Sequence, residues 1–194
     1  MHEHRFGYDD FNPGRGESRF APIADPSPIP TLYAGANEAV TLIESVFHNV
    51  GAESIERTVV ESALRRRGLA HMVPGRPLVL LDLRDEALRA LGLARSEIVA
   101  TSAEHYRCTR EWGRWLHARH PGGRAPDGLL WHSRQAELTG HAPGEVLVLW
   151  GDRAPSKVGS YKLVGPGVRN LVEGPGRVLV EEIAESLGAL VVPG

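Results

Sequence analysis

Between residues 21 and 30 the chain carries four prolines, Pro22, Pro26, Pro28 and Pro30, with Pro13 a little upstream. Each proline fixes its own φ, removes a backbone donor and pushes the preceding residue out of the helical region. This segment is therefore an extended connector, and its two flanks must do the folding. On the N-terminal side, Asn12-Pro13-Gly14 and Gly16 force a loop, in which glycine lets the backbone approach a ligand closely. On the C-terminal side, Thr31-Leu32-Tyr33-Ala34 reads as a short strand that Gly35 ends. Asn37 then suits an N-cap and Glu38 favours the helix dipole, so a helix is expected to about Val50 with Gly51 as its stop. Its apolar stripe is Val40, Ile43, Phe47 and Val50, widened by Leu42 and Val46.

Elsewhere the pattern is that of an ordinary domain. Residues 4–8 are expected as a first strand, carrying Arg5. A second helix is expected over residues 54–67, with Ile55, Val59 and Leu64 inward, Arg65-Arg66-Arg67 in its last turn and Gly68 after it. The apolar run over residues 77–83 predicts a buried strand. Helices are expected over residues 85–91, 103–117 and 178–187, and strands over 128–131, 145–150, 161–164 and 189–192. Repeats, low-complexity tracts and a domain boundary are absent from the sequence. The reading is α+β, with central β-sheets and surrounding helices in a single domain over residues 1–194.

Composition excludes several function classes. At 194 residues, 42% apolar and 24% charged, the chain can bury a real core and is neither fibrous nor disordered. A net charge of −2 gives no electrostatic drive toward nucleic acid, and no helix-turn-helix signature is present. The single cysteine, Cys108, cannot form an internal bridge. The N-terminus lacks the apolar run of a signal peptide, and no apolar segment is long enough to cross a bilayer. A soluble cytoplasmic protein is expected.

A few polar residues sit where polar residues need a reason. Glu44 lies four residues after Val40 and three before Phe47, at the border of the apolar stripe. A carboxylate there needs donors or a solvated cleft; the alternative is a peripheral glutamate paired to an arginine. Tyr33 ends a strand just before that helix, either as a core tyrosine or facing the same pocket. Arg19 follows the Gly14–Gly16 loop, where a guanidinium suits capture of phosphate or carboxylate, or simply lies on the surface. Ser133, after the apolar strand, reads as a site serine or a loop serine. The pairs His2/His4 and His117/His120 have chelating spacing but no third ligand at a recognisable interval, so no metal is expected. The glycine loop lacks the lysine and the strand–helix setting of a P-loop, and no nucleophile elbow is present.

Taken in order, FNPGRGESRF, PTLYAGANEAVTLIESVFH and GLLWHSRQ resemble the RES domain family, named for an arginine, a glutamate and a serine. Arg19, Glu44 and Ser133 fall on those three positions, Tyr33 on the family's strand-end tyrosine and Arg5 on the arginine of its first strand. The resemblance covers nearly the whole chain; Ser18 departs from it, where many members have glycine or alanine. It implies a fold like that of ADP-ribosyltransferases and a toxin that depletes NAD by hydrolysis or phosphorolysis of the nicotinamide bond. NAD is then the substrate and no cofactor is required. The implied partner is an Xre-like helix-turn-helix antitoxin, with DNA reached only through it; phosphate as acceptor and a homodimer are both allowed. In that reading Glu44 stabilises the oxocarbenium ion and holds ribose hydroxyls. Arg19, with Arg5, pairs with the pyrophosphate, and Tyr33 stacks on nicotinamide. Ser133 contacts the substrate or fixes Glu44. Transfer of ADP-ribose to a macromolecule, or an inactive nucleotide- or antitoxin-binding module, are the competing expectations.

Overall fold

The structure is a computed structural model and describes residues 1–24, 26–48, 50, 57–141 and 143–194. Among these residues the order is β1 (His2–Glu3), β2 (Thr31–Gly35), α1 (Glu38–Ile43), β3 (Thr58–Val60), β4 (Arg67–Gly68), β5 (Met72–Pro74), β6 (Leu80–Asp82), α2 (Asp85–Ala90), α3 (Arg95–Ile98), α4 (Tyr106–His117), β7 (Gly128–His132), α5 (Arg134–Leu138), β8 (Glu145–Trp150), β9 (Tyr161–Leu163), α6 (Gly174–Ser186) and β10 (Leu190–Val192).

The period of two along four strands decides where the core sits. Strands β2, β8, β7 and β6 form one sheet in that order, antiparallel except for the parallel β7–β6 pair. Val146, Val148 and Trp150 of β8, with Leu129 and Trp131 of β7, project to one side. There they meet Phe20, Ile23 and Ile29 from the proline connector, Leu88, Ile98 and Leu116 from α2, α3 and α4, and Val40 from α1. Leu147 and Leu149 point the other way, onto Tyr161, Leu32 and Leu80. The second core joins the chain ends: Leu42 and Ile43 of α1, with Phe47, pack on Val180, Ile183 and Ala184 of α6. Short ladders β1–β4, β5–β9 and the parallel β3–β10 complete a mixed α/β single compact domain.

Several expectations need correction. The first strand is β1, two residues long, because Phe6 N–H turns back to Glu3 O and Gly7 N–H to the Asp10 carboxylate. Arg5 therefore sits on a turn and not in a strand. The helix expected to Val50 is only α1. Ser45 Oγ donates to Thr41 O at 2.5 Å, taking the carbonyl its own N–H would use, and Phe47 N–H reaches back five residues to Leu42 O. Residues 44–48 thus form a looser turn. Where a helix was expected over 54–67, Thr58–Val60 is a strand against β10, and Glu61–Ala63 a single 3₁₀ turn. β-branched residues with a waiting strand partner override the local helical pattern. Residues 51–56, including the expected stop Gly51 and Ile55, lie outside the described residues. Helices α3 and α5 were not expected; each is too short to display a stripe. The connector is extended as expected, with a cis Ala21–Pro22 bond. Gly14 has φ +104, and a Cβ there would meet Pro28 Cβ at 2.9 Å, so the glycine loop and the prolines interlock.

Tyr161 is buried in the smaller core, and its hydroxyl has no hydrogen-bond partner among the described residues. Burial pushes its phenol from 10.0 up to about 12, so the folded protein holds this proton more tightly than the unfolded chain. That contribution is fully present below the unfolded value and is lost as pH rises through about 12. Tyr161→Phe should be neutral or stabilising by up to about 1 kcal/mol near neutral pH, since it removes an unpartnered buried hydroxyl. It should also flatten the alkaline loss of stability. Urea midpoints near neutrality and at alkaline pH check both.

Candidate active site

A cleft of about 360 Å³ opens between β2, α1, the start of α4 and the glycine loop. Its walls include Arg19, Tyr33, Glu44, His48, Tyr106 and Trp131. Glu44 caps the C-terminus of α1, its N–H still bonded to Val40 O at 3.0 Å, so its side chain leaves the helix where the regular ladder ends. Its side chain is 22% exposed, and its carboxylate accepts a hydrogen bond from Ser133 Oγ on Oε1. Ser133 is wholly buried, behind the cleft rather than on its surface. It follows β7, and its Oγ also accepts from Ala136 N–H at 2.9 Å as the N-cap of α5. One hydroxyl thus serves two partners, which is the full use of its donor and an acceptor lone pair.

Arg19 is held from two sides. Its Nη1 donates to Thr101 O at 3.0 Å and to Thr101 Oγ1 at 2.5 Å, and its guanidinium carbon lies 5.2 Å from the centre of the Tyr106 ring. Burial pulls the guanidinium below its ordinary range, opposed by Tyr106 and Glu44 and assisted by Arg134. It stays a cation, since its ordinary value lies so far above neutrality. Tyr33 lies 2.9 Å from Ser18 Oγ through its hydroxyl and accepts from Phe20 N–H at 3.1 Å. Its ring stands edge-on to Trp131 with centroids 6.2 Å apart. Burial pushes its phenol up to about 12 despite those hydrogen bonds. The hydroxyl is therefore a neutral tie that closes the arginine loop over β2, and only the ring is offered to the cleft. Ser18, where the sequence departs from the RES pattern, is a partner in that tie.

The structure thus brings Arg19, Tyr33 and Glu44 to one cleft, with Ser133 supporting Glu44 from behind. Arg5 is not among its walls. It is exposed, donates to Glu3 Oε2 at 2.7 Å, and lines a neighbouring depression that shares Met1 and Tyr33 with the cleft. Two wall residues escaped the sequence reading. His48 carries a usable signal, standing four residues after Glu44. Tyr106 carries none, because only tertiary packing brings α4 to the cleft. The histidine pairs do not assemble a metal site: no group of three or more His, Cys, Asp or Glu among the described residues is arranged to hold an ion. His117 instead packs on Trp150 and bonds Asp152 Oδ2 at 2.9 Å. No helix among the described residues is long and apolar enough to cross a membrane.

The domain is mixed α/β, and one cleft joins a serine-anchored glutamate to an arginine and a strand-end tyrosine. The RES domain model matches residues 2–166, and the chain belongs to the RES domain family. No curated protein and no solved structure matches it. RES domains are known from toxin–antitoxin contexts, generally as the toxin that an antitoxin partners. Arg19, Tyr33, Glu44, His48, Tyr106, Trp131 and Ser133 all fall within the matched span; α6 and β10 lie beyond it, yet they complete the second core around α1.

Ser133→Ala should cost about 1 kcal/mol for the lost N-cap and at least about 1 kcal/mol more for the half-buried carboxylate left without its donor. A double-mutant cycle with Glu44→Ala, read by chemical denaturation, should show the pair coupled by about 1 kcal/mol.

Proposed function

We propose that this RES domain is the toxin of a toxin–antitoxin pair and depletes NAD by cleaving its nicotinamide–ribose bond. The observation that carries the reading is the Glu44 carboxylate, open to the cleft on one side and bonded by buried Ser133 on the other. Heterolysis of the bond between the ribose anomeric carbon and the nicotinamide nitrogen leaves both electrons on that nitrogen. The cationic pyridinium departs as neutral nicotinamide, and positive charge develops on the sugar. A fixed carboxylate beside that carbon stabilises the charge without reorganising at the moment of reaction. Ser133 keeps Glu44 in one rotamer. The Tyr33 ring, rigid between Trp131 and the arginine loop, receives the nicotinamide face, and Arg19 pairs with the pyrophosphate. Water or phosphate then adds to the anomeric carbon and loses a proton, giving ADP-ribose or its phosphorylated form. The chemistry calls for no metal or further cofactor, because the leaving group is already activated.

The domain's likeness to ADP-ribosyltransferases, an Xre-like antitoxin as partner, contact with DNA only through that antitoxin, and action in the cytoplasm all belong to this same reading. Its support is the family membership and the order of the site residues along the chain.

Purified protein freed of any partner should release nicotinamide from NAD. Release without phosphate marks hydrolysis, and release only with phosphate marks phosphorolysis. Label from NAD appearing on a protein or nucleic acid would instead mark ADP-ribosylation of a macromolecule. Glu44→Gln should slow release by about 100-fold or more with an unchanged circular dichroism spectrum. A variant as fast as the parent would refute the mechanism.

A further inference from the structure

Among the described residues His48 is the one imidazole on the cleft wall, and its two ring nitrogens meet different neighbours. Nε2 lies 3.1 Å from the Tyr106 hydroxyl. Nδ1 lies 3.8 Å from Glu44 Oε2, the carboxylate oxygen that Ser133 does not bond, and it is buried with no hydrogen-bond partner among the described residues. The backbone is held as well, since His48 O accepts from Gln135 Nε2 of α5 at 3.2 Å. The ring is thus gripped by α4 through one nitrogen and by α5 through its carbonyl, while the other nitrogen is directed at the site carboxylate.

The carboxylate can only accept, so the ring nitrogen that faces it is the one to carry the proton, and Nε2 is left to accept from the Tyr106 hydroxyl. Burial raises the Tyr106 phenol, with Arg19 opposing and Glu44 assisting, so it keeps its proton to donate. A donated hydrogen bond to Nε2 places the imidazole proton on Nδ1, facing Oε2.

We propose, resting on the NAD-cleavage reading, that His48 is a positioning residue. Its Nδ1–H and Ser133 Oγ hold the two oxygens of Glu44 from opposite sides and aim the carboxylate at the ribose, while Tyr106 sets the tautomer. The separation of 3.8 Å is longer than a formed hydrogen bond. It closes when a ribose enters, as catalytic hydrogen bonds often tighten only once a ligand is bound.

The test compares isosteres in the full chain by kcat and KM for nicotinamide release from NAD. The amide nitrogen of His48→Asn stands near Nδ1 and keeps the donor toward Glu44. That of His48→Gln reaches toward Nε2, keeping the Tyr106 contact and losing Glu44. A misaimed carboxylate costs rate and leaves ground-state binding alone. His48→Gln should therefore lose about 10- to 100-fold in kcat, with KM nearly unchanged. His48→Asn should recover most of that loss, and Tyr106→Phe should show a smaller fall in kcat alone. Equal activity of the Asn and Gln variants, or losses that fall in KM, would overturn the positioning role while slow Glu44→Gln upholds the site. A Glu44→Gln variant as active as the parent would overturn the site reading and this inference with it.

Discussion

The hydrogen bond from Ser133 to Glu44 joins residues 89 apart in sequence, and the arrangement of the cleft depends on it. A carboxylate at the edge of a core must be solvated or bonded, because leaving it unpaired costs far more than one weak contact returns. Here the donor is a serine already committed to capping α5, so its direction is set by a helix end and not by a freely rotating side chain. The glutamate is in turn set by α1, whose Val40 packs in the core on one face of the sheet and whose Leu42 and Ile43 pack in the second core, against α6. Three packed units therefore meet at one carboxylate: the sheet, α5 and the pair α1–α6.

The cationic half of the cleft is built differently. Arg19 comes from a loop with no regular structure, and such a loop needs anchors if it is to present a charge in one place. The prolines supply part of this by removing alternative conformations from the unfolded chain. Phe20 and Ile23, buried beneath the sheet, supply more. The remainder is polar: the Tyr33 hydroxyl receives Phe20 N–H, and Thr101 receives the guanidinium. This division explains why Tyr33 serves with its ring and not its hydroxyl, which is spent on holding the arginine's own loop.

Much of this was legible in the chain. The connector, β2, the Asn37 cap, β7, β8 and α4 follow from rules that act over a few residues: prolyl φ, capping, and apolar periods of two or near four. Glu44 stood out because a charge on the border of an apolar stripe is a local contradiction, and Arg19 because glycines precede it. Two errors had different causes. The helix over 54–67 and the continuation of α1 to Val50 are locally reasonable, but β10 pairs with β3 from the far end of the chain, and Ser45 takes a carbonyl from the ladder. The placement of Arg5 failed for a similar reason, because a turn closed by Asp10 cut the first strand short.

By itself the sequence determined the elements with strong local signals, the residue types available for chemistry, and their order, which is what the RES family resemblance reads. Only the tertiary structure decided that Ser133 faces Glu44 from behind while Arg5 stays outside the cleft. It also decided that Tyr106 and His48 complete the wall. Apart from the step of four between Glu44 and His48, these are contacts between residues far apart in the chain. Their energies arise from burial and from matching donors to acceptors across packed elements, and no local pattern records either.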